Sequence, residues 1–368
     1  MNLGILIGHF PPGPFGGAEL QAETWARRLA ERHRVTVITR RDPPSQPADE
    51  RRDGFDVVRL PVSHLPFVRT GRDLGAIQKT LAGLTPRLDL TLCFQTFISG
   101  LAGVRAQDRL GIPAAVWIRG EDEYRLGASW RARAVSPGVW ARARGVLVQS
   151  EANRAGLLEE LGRVSPAARD TVAGKLEVVP NGLEVPPQIA PPGGRVLTVG
   201  RLIPEKGIDT VIDAVAGIQG QLTVAGAGPE RERLEARARL HGLEVRFAGF
   251  VDRERLAALY REAWVVVLAA RRGEGLPNVV LEAFAHGRPV IATPIAGVTD
   301  LVQDGGNGLL VPAGDPQALR DALARLSHER GLAERLGRAG RVTAEAYAWP
   351  RVIPALQSAL ARWAGRYD

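Results

Sequence analysis

The stretch "AWVVVLAARRGEGLPNVVLEAFAHG", residues 263–287, changes its periodicity halfway. Residues 263–270 are continuously apolar and β-branched, which predicts a buried parallel strand. After Pro277 the run "NVVLEAFAHGRP" carries apolar residues at helical spacing, and Gly287 and Pro289 form a stop signal. Pro277 suits the first turn of a helix, where its missing N–H is not needed. Glu274 then falls in the strand-to-helix turn, and Glu282 lies over a turn into the helix. Both acids can face one crevice at the carboxyl end of a strand, where open α/β sheets bind ligands. The unpaired N–H groups of the helix start suit an anion such as a diphosphate. Taken alone, the stretch also reads as an ordinary turn with one solvated glutamate and one capping glutamate, so the remainder of the chain decides.

A length of 368 residues exceeds what one core usually supports and predicts two domains. Hydrophobic content of 45% with 24% charged residues is that of a soluble globular protein. No apolar run approaches the roughly 20 residues that span a bilayer. "MNLGILIGHF" lacks a basic start and a cleavage site and is expected to be a first strand. Cys93, the single cysteine, sits in the apolar run "LDLTLCF" as a small buried hydrophobe, which excludes a disulfide framework or a cysteine-based metal site. The expected location is cytoplasmic, with peripheral contact at the inner membrane face left open. The formal charge of +8 comes mainly from arginine, and a compositional preference for arginine over lysine explains much of it. Nucleic acid is not an expected partner: aromatic residues are 5% and no recognition motif occurs.

Short apolar strands alternate with amphipathic helices almost throughout, which argues for parallel α/β sheets. Strands are expected near 3–8, 34–39, 56–60, 88–94, 114–118 and 145–149, with helices at 17–32 and 150–162. "PPQIAPPGGR" (186–195) has linker composition. The alternation then restarts with "RVLTVG", "QLTVAG" and "EVRFAG" as strands and helices opening at Pro204 and Pro229. The expected domains are 1–185 and 195–346, both Rossmann-like and doubly wound, facing a cleft. Residues 347–368 are expected to form a helix that packs back on the first domain, interrupted by prolines near its start.

Several strand-end turns carry candidate chemistry. "GHFPPGPFGGAELQ" (8–21) is glycine- and proline-rich, and Gly16 and Gly17 would let backbone approach a phosphate or sugar. It is neither a dinucleotide fingerprint nor a Walker A loop. "VGRLIPEKGIDTVIDA" (199–214) places Arg201 and Lys206 about one turn, where a planar fork and a mobile point charge can converge on one diphosphate. "AGAGPERERL" (225–234) is a further strand–glycine–helix turn.

The order and spacing of "PPGPFGGAE", "VVPNGLE", "VGRLIPEKG", "FAGFVDRERLAALY", "GEGLPNVVLEAFAHGRPVIAT" and "GGNGLLVPAGD" resembles that of the retaining glycosyltransferases of family 4, the glycosyl transferases group 1, which have the GT-B fold. The resemblance covers nearly the whole chain. It implies transfer of a sugar from a nucleoside diphosphate sugar, UDP- or GDP-linked, to an acceptor hydroxyl with retention of anomeric configuration. The acceptor class it leaves open is a glycan, a lipid-linked sugar or a small metabolite. No metal and no further cofactor are implied, since the leaving phosphate itself takes the acceptor's proton.

The resemblance also implies residue roles. Glu274 would face the donor sugar and stabilise positive charge at the anomeric carbon, and Glu282 would hold both ribose hydroxyls. Gly275, Leu276, Pro277 and Asn278 would meet the sugar or diphosphate through backbone N–H groups. Arg201 and Lys206 would neutralise the diphosphate, and Gly17 would approach it on closure. Gly249, Phe250 and Val251 would flank the base, and the segment around Val298 would contact phosphate or ribose. The acidic run "GEDEY" (120–124) lies on the acceptor side rather than in a metal site. One departure stands out: Arg119 precedes Gly120 where relatives commonly have histidine. Arginine cannot act as a general base, so Arg119 would either hydrogen-bond a sugar hydroxyl or pair with the carboxylate of a uronic donor. Smaller departures are "LAARRGEG", where many relatives carry Pro-Ser, and Asp300 in place of Glu. The rival readings are a non-catalytic nucleotide-sugar binder or another GT-B enzyme such as an epimerase.

Overall fold

The computed structural model describes residues 1–12, 17–61, 69–120, 126–218, 220–272, 275–329 and 331–365. These form two compact units, one of residues 1–180 together with those from Ile353 onward, the other of Asn181–Val352.

The first unit is built on an eight-stranded sheet. Its strands are β1 (Asn2–Leu6), β2 (Arg34–Arg41), β3 (Asp49–Arg52), β4 (Phe55–Pro61), β5 (Leu90–Phe94), β6 (Ala114–Trp117), β7 (Gly145–Val148) and β8 (Leu176–Val178). The order is β3-β4-β2-β1-β5-β6-β7-β8, and only the β3–β4 pair is antiparallel. Strand order reverses direction at β1 and β5, the switch point where ligands enter such sheets. Cys93 is fully buried and burial pushes its thiol up to about 12, so it behaves as a small hydrophobe. The helix Trp349–Trp363 runs on through Pro354 without the break expected from its prolines. Pro350 stands in the first turn, where no intrahelical N–H is needed. Trp363 lies flat on β7: a Cβ at Gly145 would stand 2.1 Å from its ring.

The second unit has six parallel strands: β9 (Arg195–Val199), β10 (Gln221–Ala225), β11 (Val245–Gly249), β12 (Ala263–Leu268), β13 (Val290–Ala292) and β14 (Leu309–Leu310). Their order is β11-β10-β9-β12-β13-β14, which puts the switch point between β9 and β12. The continuous apolar runs are explained by burial on both faces. Val196, Val265 and Val267 pack to one side, and Leu197, Val266 and Leu268 to the other. The proline-rich segment 186–195 is fastened to this unit. Arg288, 1% exposed, donates from Nη2 to the Ala190 carbonyl at 2.7 Å and from Nε to that of Tyr260 at 2.9 Å. Ile189 fills the space where a Cβ on Gly287 would sit, 2.8 Å away.

Close backbone approach at the carboxyl ends of β9 and β10 locks the turns together. Gly226, with φ +147°, donates to the Gly249 carbonyl at 2.7 Å, and a Cβ on it would stand 1.8 Å from the Gly200 carbonyl oxygen. Gly228 likewise leaves only 2.4 Å to the Leu202 oxygen. Only glycine fits such contacts. Gly226→Ala must therefore shift backbone in two turns and adopt a disfavoured φ, at about 1–3 kcal/mol for the backbone alone. A lower thermal midpoint by several degrees is expected in calorimetry; an unchanged midpoint would show that the turns are not locked as described.

Candidate functional site

The switch point brings the second unit's candidates to one end of its sheet. The β9 turn carries Arg201, exposed, and Lys206, half-buried at the end of the 3-10 turn Pro204–Lys206. The Lys206 stem lies over Gly200, with its Cδ, Cγ and Cε 3.7–4.0 Å from where a Cβ would be. Next along the sheet, β12 leads into the helix Asn278–Ala285. Pro277 is its N-cap, with ψ 101°, and its carbonyl accepts from the amides of Val280 and Leu281 at 3.1 and 3.3 Å. The amides of Asn278 and Val279 therefore precede the first intrahelical bonds, as an anion site requires. Leu276 is buried, which anchors this turn. The Asn278 side chain accepts from Asn181 Nδ2 at 2.6 Å. Asn181 stands in "VVPNGLE", and its own role was not visible in the sequence.

Glu282 sits one turn further on and is half-buried. Its Oε2 accepts from the buried Tyr260 hydroxyl at 2.8 Å, while Oε1 accepts from no described residue. Burial pushes the Glu282 carboxyl upward, opposed by the Tyr260 hydrogen bond and the charge of Arg253. Burial and the neighbouring Glu282 charge raise the Tyr260 phenol well above its ordinary range, so it remains a donor. His286 stacks on the Tyr260 ring at 5.2 Å and 21°. Burial lowers its pKa, and its Nδ1 lies 2.8 Å from the Glu282 carbonyl oxygen, which a neutral ring with Nδ1–H satisfies. Tyr260 carries no sequence signature and is brought to Glu282 by the fold alone, whereas His286 stands four residues on, at the end of the same helix.

The other candidates are spread along the same strand ends. Gly249 closes β11 with φ +69°; Phe250 after it is 45% exposed, and Val251 is half-buried. The Val298 side chain is fully buried and its amide donates to the Ile295 carbonyl at 3.0 Å, so this segment offers a ligand its exposed neighbours Thr299 and Asp300. Gly275 is described; Glu274 and Gly16 lie outside the described residues, as do the acids at 121–123.

In the first unit, Gly17 opens the helix Gly17–Ala30 after β1. Arg119 follows β6, with its guanidinium carbon 4.7 Å from the Trp117 ring centre and 5.2 Å from that of Phe94. Phe94 and Trp117 are the paired last residues of β5 and β6, so the guanidinium stands within cation–π distance of two rings. Beside them, Gln95 (φ 79°) and Ile98 (φ 56°) occupy backbone regions that side chains rarely adopt. Among the described residues, no three His, Cys, Asp or Glu side chains gather as metal ligands.

Residues 187–343 match the family model for glycosyl transferases group 1, and residues 16–182 match the glycosyl transferase 4-like domain. The chain belongs to the group 1 glycosyltransferases and has the GT-B fold. The GDP-mannose-dependent alpha-mannosyltransferase of Mycobacterium tuberculosis is 29% identical to it over 88% of this chain and 86% of that protein. The phosphatidyl-myo-inositol mannosyltransferase of Mycobacterium leprae is 37% identical over 46% of this chain, which spans about half of that relative's length. Among solved structures, sucrose-phosphate synthase of Thermosynechococcus elongatus superposes with a TM-score of 0.82 at 25% identity over 97% of both chains. Anabaena HepE, solved with UDP and glucose, gives 0.80 at 21% identity over 98% of this chain and all of that one.

The raised carboxyl of Glu282 has a consequence for stability. A folded-state pKa above the unfolded one means the folded chain holds the proton more tightly, so stability declines as pH rises through that interval. At neutral pH the ionised Glu282 thus opposes folding. Glu282→Gln keeps an acceptor for Tyr260 and removes the charge. Its thermal midpoint should exceed that of the unmodified protein at neutral pH, and the difference should vanish below the ordinary glutamate range. A midpoint gain that persists there would refute the assignment.

Proposed function

We propose that the chain transfers a glycosyl group from a UDP- or GDP-sugar to an acceptor hydroxyl with retention of anomeric configuration. The observation that carries this reading is the convergence at the β9/β12 switch point. The Arg201–Lys206 turn stands beside a helix start with unbonded amides, and Glu282 follows one turn on with one oxygen held by Tyr260. A diphosphate fits the first two features, and the two hydroxyls of a ribose fit a carboxylate. The names of relatives support the donor class: one is described as GDP-mannose-dependent, and HepE was solved with UDP-glucose.

In this reading Arg201 and Lys206 neutralise charge on the departing diphosphate, usually the largest catalytic contribution. The acceptor oxygen forms its bond to the anomeric carbon on the face from which the diphosphate leaves. The bond from that carbon to the phosphate oxygen breaks, and the acceptor's proton passes to a phosphate oxygen. Glu274 stabilises positive charge at the anomeric carbon and hydrogen-bonds the sugar. The Gly275–Asn278 amides meet the diphosphate or sugar, Gly249–Val251 flank the base, and the segment at Val298 contacts phosphate or ribose. Gly16 and Gly17 give close backbone approach to a phosphate. Arg119, seated within cation–π distance of Trp117 and Phe94, hydrogen-bonds a sugar hydroxyl. The acceptor belongs to glycan, glycolipid or metabolite glycosylation. The first unit is the acceptor side and the second, Asn181–Val352, the donor side; the division falls a few residues before the 186–195 segment taken as the linker from sequence. Among the described residues no helix is long and apolar enough to cross a membrane, and peripheral contact with the inner membrane face fits the excess of positive charge.

The test is a thermal-shift panel of UDP, GDP and other nucleoside diphosphates. A ligand at a hundredfold its Kd adds about 2.7 kcal/mol, and each kcal/mol raises the midpoint by roughly 2–4 °C at this size. One base should give a selective shift that Lys206→Ala removes. Glu274→Ala should then lower kcat far more than nucleotide affinity, because its contact is to the reacting sugar. A panel with no shift would remove the nucleotide-sugar reading.

A further inference from the structure

Arg271 lies just beyond β12, at the place where "LAARRGEG" departs from the family pattern, and it has no part in the roles described so far. Its contacts nevertheless concentrate on one short segment, the turn that carries Lys206. The Arg271 amide donates to the Glu205 carbonyl at 2.8 Å, and Nη1 donates to the Pro204 carbonyl at 2.8 Å. Nη2 reaches both carboxylate oxygens of Asp209 at 2.8 Å and Thr210 Oγ1 at 3.2 Å. Lys206 is thus bracketed: the carbonyls on its amino side and the side chains three and four residues beyond it are held by one residue.

The residue after Lys206 is equally constrained. Gly207, at φ +63°, is pressed against β12 so closely that a Cβ would stand 2.0 Å from the Ala269 carbonyl oxygen. The segment just beyond β12 thus holds the turn on both sides of Lys206 in sequence, through Arg271 at Pro204 and Glu205 and through Ala269 at Gly207, and the Lys206 stem lies over Gly200. Overall stability is a poor explanation for this arrangement. Arg271 is 36% exposed and Asp209 23%, and ion pairs in such settings contribute little to folding. Fixing the turn matters instead for where the ammonium group stands, since misplacement of a charged group weakens it sharply as a ligand.

We infer that Arg271 is a positioning residue that sets the Lys206 ammonium for the diphosphate, an inference that rests on the donor site proposed above. A guanidinium suits the task because its planar fork serves carbonyl, carboxylate and hydroxyl at once, which a lysine could not. Arg271 does not itself touch the nucleotide; it acts through the turn.

The experiment is a double-mutant cycle read by calorimetric titration of UDP, GDP and inorganic pyrophosphate into the full chain. The four proteins are the unmodified one, Arg271→Ala, Lys206→Ala and the pair. Arg271→Ala should weaken the nucleotide that binds by about tenfold. In the Lys206→Ala background the same change should have almost no further effect, because the group it positions is gone. Melting curves taken alongside should show a small change in midpoint. Equal weakening in both backgrounds, or none in either, would overturn the inference and leave the donor site standing. Absence of binding by the unmodified protein to all three probes would remove the donor site and this inference together. Should Arg271→Ala fail to fold, the cycle is run with Asp209→Asn, which removes the facing carboxylate charge and leaves the backbone contacts in place.

Discussion

Backbone approaching backbone more closely than any side chain permits is the constraint on which the second unit depends. Gly226 and Gly228 let the turns after β9 and β10 share hydrogen bonds across the strand ends: Gly200 to Ala225 at 2.9 Å, Leu202 to Ala227 at 2.9 Å, and Gly226 to Gly249 at 2.7 Å. These bonds turn separate loops into one platform. Side chains rooted in it inherit its rigidity, which is what a site needs if its charges are to stand ready before a ligand arrives. Arg201, Lys206 and Gly249 all spring from this platform, and it is built from backbone alone.

Arginine supplies what glycine cannot. Only three lysines occur, at 79, 175 and 206, so nearly all of the positive charge is guanidinium. Arg288 pins the segment 186–195 through the Ala190 carbonyl. In the first unit, Arg59 is 2% exposed, pairs with Glu50 at 2.7 Å and donates to the Pro11 carbonyl at 2.9 Å, two residues before the undescribed start of the glycine-rich loop. A buried guanidinium is tolerated when most of its donors are used: Arg288 donates to the Ala190, Pro191 and Tyr260 carbonyls, and Arg59 to the Pro11 carbonyl and the Glu50 carboxylate. The compositional reading of the arginine excess is therefore incomplete: some of these residues are fasteners for loops that carry candidate function.

This also explains what the sequence could and could not disclose. Most strands were legible because a strand buried on both faces is written in consecutive apolar residues, as in "AWVVVL" and "RVLTV", while the short β3 and β8 were not expected. Pro277 marked the helix start for a local steric reason, and the structure makes it the N-cap. Local rules failed where distant residues decide. Composition made 186–195 a linker, but Arg288, about a hundred residues on, holds it down. Prolines suggested an interrupted final helix, yet the helix is continuous. Glu282 was readable as a candidate from its spacing, whereas Tyr260, on another helix, reaches it only through packing. The short β3 pairs antiparallel with β4 through "DERR", a polar stretch with no apolar alternation to betray it.

The two units solve the problem of a strand-end site differently. At the end of β5 the chain turns through Gln95 and Ile98 at positive φ, and a β-branched residue there is strained by about 1–3 kcal/mol. Such backbone persists only if its surroundings over-determine it. Here they do: the Trp140 indole donates to Thr96 Oγ1 at 2.9 Å in the buried interior, and the Gly100 amide donates back to the Gln95 carbonyl at 3.1 Å. Glycine at 95 or 98 would adopt these angles without strain. The turn leaves Phe97, 42% exposed, at the carboxyl end of β5, one strand from Arg119 on its aromatic seat. Strained backbone held by core contacts, with a guanidinium seated beside two aromatic rings, shapes this end of the first sheet, whereas the corresponding strand ends of the second are shaped by glycines that let backbone meet backbone.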